Sequence, residues 1–146
     1  PAPEKATVKD VIAIPENEEP LIGIITDPET TSTSIEMLWE SDAMPEQYNA
    51  TIIVKSKDLM ENIIAKVMSE RFEDITSKPG SPFLGGDFGS GNLCETMQAA
   101  MAEVSLREED IIGGFKAFYT EIEKMKRFGF TDDQIAAVLA ESVASE

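Results

Sequence analysis

Two capping boxes fix where the C-terminal part of this chain turns helical. In Ser105-x-x-Glu108 and Thr131-x-x-Gln134, the cap hydroxyl accepts from the amide three residues on, and the Glu or Gln reaches back to the cap's own amide. The first box predicts a helix from Ser105 that carries Ile111, Phe115, Phe118, Ile122 and Met125 on one face. Lys124, Lys126 and Arg127 fall in its last turn, where cations oppose the helix dipole, and Gly129 supplies a left-handed stop. The second box predicts a further helix from Thr131, with Phe130 and Ile135 placed as its hydrophobic staple.

Upstream the periodicity switches between two and 3.6. Leu21-Ile22-Gly23-Ile24-Ile25-Thr26 is β-branched and bounded by Pro20 and Asp27-Pro28, which predicts a strand. Ser34–Glu40 places Ile35, Met37 and Trp39 on one face and Ser34, Glu36 and Glu40 on the other, a half-buried strand. From about Glu46 to Thr76, Met60, Ile63, Ile64, Val67, Met68, Phe72 and Ile75 recur at helical spacing, and Ser77–Pro82 ends that helix. Phe83–Gly89 reads as a strand interrupted by glycines, with a bulge. Leu93–Val104 alternates Met97, Ala99 and Met101 against Gln98, Ala100 and Ala102, a second strand. The expected fold class is therefore α+β, an antiparallel sheet with helices packed on one face. The expected core sets Ile64, Val67, Met68 and Phe72 against Phe115, Phe118 and Ile122, over Ile35, Met37 and Trp39.

The 146 residues suit a single domain, here an irregular lead-in over 1–20 and one α+β domain over 21–146. Pro1-Ala2-Pro3 and the uncapped helical pattern at the end predict a piece of a larger protein. No apolar run approaches the roughly 20 residues of a membrane span. A net charge of −16 opposes binding to phosphate backbones and anionic lipid, which excludes nucleic-acid partners. The chain has no histidine, so imidazole triads, dyads and metal sites are excluded. Its single cysteine, Cys94, can form neither an internal disulfide nor a thiolate cluster.

The motifs that draw attention fail on chemistry. Gly85-Gly86-Asp87-Phe88-Gly89-Ser90-Gly91 lacks the Lys-Ser/Thr of a phosphate loop, and Asp87 repels a pyrophosphate. Asp87-Phe88-Gly89 matches a kinase triplet by chance in a chain with no His-Arg-Asp loop. The runs Glu16–Glu19 and Glu108–Asp110 lack the alternating ligands and turn glycine of a calcium loop. Cys94 has no histidine to activate it. No catalytic, cofactor-binding or metal residue is predicted.

Four segments carry a resemblance. Thr26-Asp27-Pro28-Glu29-Thr30-Thr31-Ser32-Thr33-Ser34 leads into a strand, and Ser69-Glu70-Arg71-Phe72 lies late in the long helix. Ser81-Pro82-Phe83-Leu84-Gly85 begins a strand, and Arg127-Phe128-Gly129-Phe130-Thr131 joins two helices. In this order the set resembles the pitrilysin family of zinc peptidases, which includes insulysin and the mitochondrial processing peptidases. More narrowly, over about residues 12–146, it resembles the non-catalytic domain of bacterial zinc proteases. The resemblance implies a six-stranded type of α+β unit, a catalytically silent copy that forms part of the chamber wall and packs on the catalytic domain. Zinc then belongs to the parent's catalytic domain, on an inverted H-x-x-E-H motif to which nothing in this chain corresponds. The implied partners are the other domains and the parent's peptide substrate, with self-association of the fragment through exposed apolar surface. The implied compartment is the bacterial periplasm or cell envelope. The alternative is an independent acidic interaction or ligand-binding α+β module.

Overall fold

The period-two stretch around Ile35 forms strand β1 (Thr33–Asp42). The computed structural model describes Pro15 and residues 17–144, with side chains through Glu141. Most of the lead-in expected over 1–20, and the side chains of the last residues, lie outside the described residues. After β1 a 3-10 turn (Glu46–Tyr48) precedes helix α1 (Ile52–Thr76). The hairpin β2 (Gly85–Asn92) and β3 (Met97–Leu106) follows. Helices α2 (Ile111–Phe128) and α3 (Asp132–Ala144) complete the chain.

β3 lies between β1 and β2 and pairs antiparallel with both. Residues directly opposite in such pairs point to the same face. Ile35 with Val104 and Gly86, and Met37 with Ala102 and Phe88, therefore form one face of the sheet. That face carries the core, a cluster of Met68 and Phe72 from α1, Phe83, Ala102, Val104 and Leu106, and Phe118 and Ile122 from α2. Three phenyl rings meet at its centre. Phe72 lies 4.7 Å from Phe118, centroid to centroid, and Phe83 stands edge-on to both at 6.1 and 5.7 Å. Such tilted and T-shaped contacts suit the ring quadrupole. Gly86 lets the sheet approach them, because a Cβ there would lie 2.7 Å from Phe118 Cε2.

Phe83 reaches the core through the corner before β2. The buried Ser81 hydroxyl donates to the Phe83 carbonyl at 2.6 Å, and the Leu84 amide then joins the Ser105 carbonyl at 2.8 Å. The second capping box forms as expected. The Gln134 amide donates to Thr131 Oγ1 at 3.3 Å, and Thr131 N–H donates to Gln134 Oε1 at 3.0 Å. Phe130 packs against the core, with the Arg71 guanidinium 5.5 Å above its ring.

The α+β class and the one-sided helices hold, and five local expectations are corrected. Leu21–Thr26 is not a strand: it belongs to no regular element and is exposed, with Ile25 96% accessible, and among the described residues no strand pairs with it. The first box does not form. Ser105 stays in β3, paired with Ser34 and Gly85, and the helix starts later, where Asp110 accepts from the Gly113 amide at 2.9 Å. β2 has no bulge, since its register against β3 runs unbroken. Trp39 is 40% exposed and lies outside the core cluster. Gly129 has the expected positive φ of 66°, but its ψ of −144° is extended rather than left-handed helical. In place of the six-stranded type, the described residues form a sheet of three strands.

Candidate functional site

The residues singled out in the sequence are scattered over the fold. The glycine-rich stretch is strand β2, its backbone committed to the ladder with β3 rather than to a phosphate cradle. Asp87 and Gly89 lie in that strand with Phe88 turned the other way, against the core. Glu108–Asp110 forms a 3-10 turn whose last carboxylate caps α2. Of the earlier acidic run, Glu16 lies outside the described residues, and Glu18 and Glu19 are exposed.

Cys94 lies exposed in the tight connection between β2 and β3, where the Leu93 and Cys94 amides both donate to the Met97 carbonyl. Its Sγ is 3.5 Å from Thr96 Oγ1. Hydrogen bonds from the Thr96 hydroxyl, then from the Thr96 and Met97 amides, hold the thiol below its ordinary pKa, against smaller upward pushes from desolvation and then from the Glu95 charge. The thiol lines a cleft of about 240 Å³ with Met44, Asn49, Asp58 and Gln98. An adjoining cleft of about 400 Å³ runs between α1 and the edge strand β2, lined by Lys57, Asn62, Ser90 and Asn92. Besides amides, the walls of the first cleft carry the Glu46, Asp58 and Glu95 carboxylates and the Lys57 ammonium, and the chain has no imidazole to pair with the thiol as in a Cys–His dyad. Elsewhere Glu123 raises the pKa of the exposed Tyr119 phenol, by hydrogen bonding and then by charge.

Zinc is the metal that the resemblance implies, and the residues present do not fit it. A catalytic zinc takes three protein ligands, mostly imidazole or thiolate, around an open position. The chain has no histidine and one cysteine, and among the described residues no group of three His, Cys, Asp or Glu converges on a point.

The open face of the sheet holds what sequence reasoning missed. β1 turns Glu36, Leu38, Glu40 and Asp42 away from the helices. The register sets Glu103 of β3 opposite both Glu36 and Asp87. The period of two in Ser34–Glu40 already points Glu36 outward, but its alignment with Glu103 and Asp87 depends on a pairing that no local pattern specifies.

No family profile matches this sequence, and no curated protein matches it. At the level of class, the chain is an α+β unit whose fold resembles a domain of a periplasmic peptidase. Two solved structures of the periplasmic protease PqqL from Escherichia coli share this fold. Against the crystal structure of its first half, 82% of this chain aligns with a TM-score of 0.65 and 15% identity. Against the structure of the whole protease, 80% aligns with a TM-score of 0.63 and 17% identity. The chain spans 25% of the first of those structures and 13% of the second. At these identities the likeness shows the fold, which is the pitrilysin-like fold that the four segments led us to expect.

Proposed function

We propose that this chain is a catalytically silent structural domain of a bacterial zinc metallopeptidase, one that walls the substrate chamber and packs on the catalytic domain. The observation that carries the proposal is the breadth of the fold match: 82% of this chain finds its counterpart within 25% of one half of a longer protease. The absence of histidine from the sequence supports a silent role, since neither ligands for zinc nor a base to activate water can be assembled from it. The partners are then the other domains of the parent and the peptide that it encloses. The compartment is the periplasm, in keeping with the proteases that share the fold.

The test uses the longer protein that contains this chain. The expected parent holds zinc and cleaves peptides in a chelator-sensitive way. Removing residues 21–146 should leave the zinc in place and abolish productive enclosure of substrate. A parent without zinc or hydrolysis, or a deletion that leaves turnover unchanged, contradicts the proposal.

A further inference from the structure

We propose that Leu21–Thr26 is a strand-donating arm, which pairs with the free edge of β1 in a second copy of this chain. The segment carries no charge, and Leu21, Ile22, Ile24 and Ile25 are 81%, 86%, 87% and 96% exposed. Among the described residues no strand takes up its amides and carbonyls. A β-prone run left in that condition is a template for pairing with another chain. A turn marks where the arm leaves the fold: the Asp27 carboxylate accepts from the Glu29 amide at 2.8 Å, and the Asp27 carbonyl accepts from the Thr30 amide at 3.1 Å. Residues 27–32 then join the arm to β1, a tether that can span up to about 20 Å.

The acceptor lies in the same molecule. β1 is an end strand, with β3 on one side and no strand on the other among the described residues. Its two faces are both unfinished, since Trp39 on the helix side is 40% exposed and Leu38 on the other is 44% exposed. Residues two apart in a strand share a face, so Leu21 with Ile25, and Ile22 with Ile24, form two apolar rows. Laid along β1, one row extends Ile35, Met37 and Trp39, and the other flanks Leu38, as cross-strand apolar pairs do. β2, the other end strand, is rich in glycine and borders the polar cleft of Lys57, Asn62, Ser90 and Asn92, which suits the arm less. Every copy carries both donor and acceptor, so exchange about a two-fold axis occupies two arms and two edges at once. Burying one such side chain removes about 100 Å² of apolar surface, so the exchanged arms and the edges they cover bury on the order of 1,500 Å², the size of a specific interface. The net charge of −16 opposes the approach of a second copy, and salt screens that repulsion. Pairing should therefore strengthen as salt rises.

Arm and edge belong to this chain, so the test means the same whether or not the chain serves a peptidase. Trp39 is the single tryptophan, and its fluorescence reports on β1 alone. Sedimentation of the full chain should show monomers giving way to dimers in the micromolar range, more readily with added NaCl. Acrylamide quenching of Trp39 should fall over the same range of concentration. Ile24→Lys should raise the dissociation constant at least about a hundredfold, because each of two arms loses a buried aliphatic side chain. Ile25→Pro, which removes an amide from the arm, should weaken pairing in the same direction. Ile52→Lys on α1 and Ile112→Lys on α2 place the same charge at other exposed apolar positions, and each should change the constant less than about threefold. A chain that stays monomeric up to about 100 μM overturns the proposal, and so does equal weakening by the arm and control variants. Dimers that leave Trp39 as open to quencher as the monomer would place the contact elsewhere and overturn it too. Protection of Trp39 that does not depend on concentration, lost in Ile24→Lys, would show the arm on its own β1 and overturn the exchange.

Discussion

Phe115 and Phe118 share a helix and a chemistry but not an environment. Phe118 is fully buried between Phe72 and Phe83, whereas Phe115 packs at the margin and stacks on Tyr119 at 6.0 Å. Phe118→Ala should therefore cost about 3–5 kcal/mol in denaturant unfolding, from lost transfer energy plus the cavity left behind. Phe115→Ala should cost less than about 2 kcal/mol, since water and neighbouring side chains can fill a marginal site. Equal losses would place both rings in one core. Cys94 gives a second test at this scale. Donors that stabilise the thiolate lower the pKa, so alkylation of Cys94 should reach half its maximal rate at a lower pH than a free thiol. Thr96→Val removes the largest contributor and should move that midpoint up. A midpoint that Thr96→Val leaves in place would show that the hydroxyl does not reach the sulfur in solution.

The two capping boxes read alike in sequence and behave differently in the fold. Thr131 stands at the end of a loop with its amide unspent, so the reciprocal bonds with Gln134 form. Ser105 is claimed by the ladder, its carbonyl taken by Leu84 and its position paired on both sides, and the capping role passes to Asp110. Asp110→Ala and Thr131→Ala should each cost about 1 kcal/mol in thermal or denaturant unfolding, the usual loss of an N-cap. Ser105→Ala should stay within about 0.5 kcal/mol. A larger loss at Ser105 than at Asp110 would restore the first box. The same contrast explains what was legible in the sequence. The stripe from Ile64 to Phe72 and the alternation of Ile35 and Met37 report burial through a single period, and both were readable. Leu21–Ile25 has equally strong β-propensity, yet a strand exists only where another strand accepts its hydrogen bonds. The acidic row was out of reach for the same reason: Glu36, Asp87 and Glu103 become neighbours only through long-range register.

At the scale of the whole molecule, two properties define the chain. One is an excess of carboxylates, a net −16, part of it gathered on the open sheet face. The other is a fold shared with a quarter of one half of a periplasmic protease, in a sequence with no histidine. On the proposed function, any chemistry of the parent lies outside this chain. Carboxylates prefer harder cations than zinc, one thiolate cannot build a closed or an open zinc site, and without the metal no group here brings the pKa of a water near neutrality. The most direct measurement is metal analysis of the purified chain after dialysis, with peptide hydrolysis assayed on the same sample. The account predicts far less than one zinc per chain and no hydrolysis above background. Stoichiometric zinc together with chelator-sensitive turnover would contradict it.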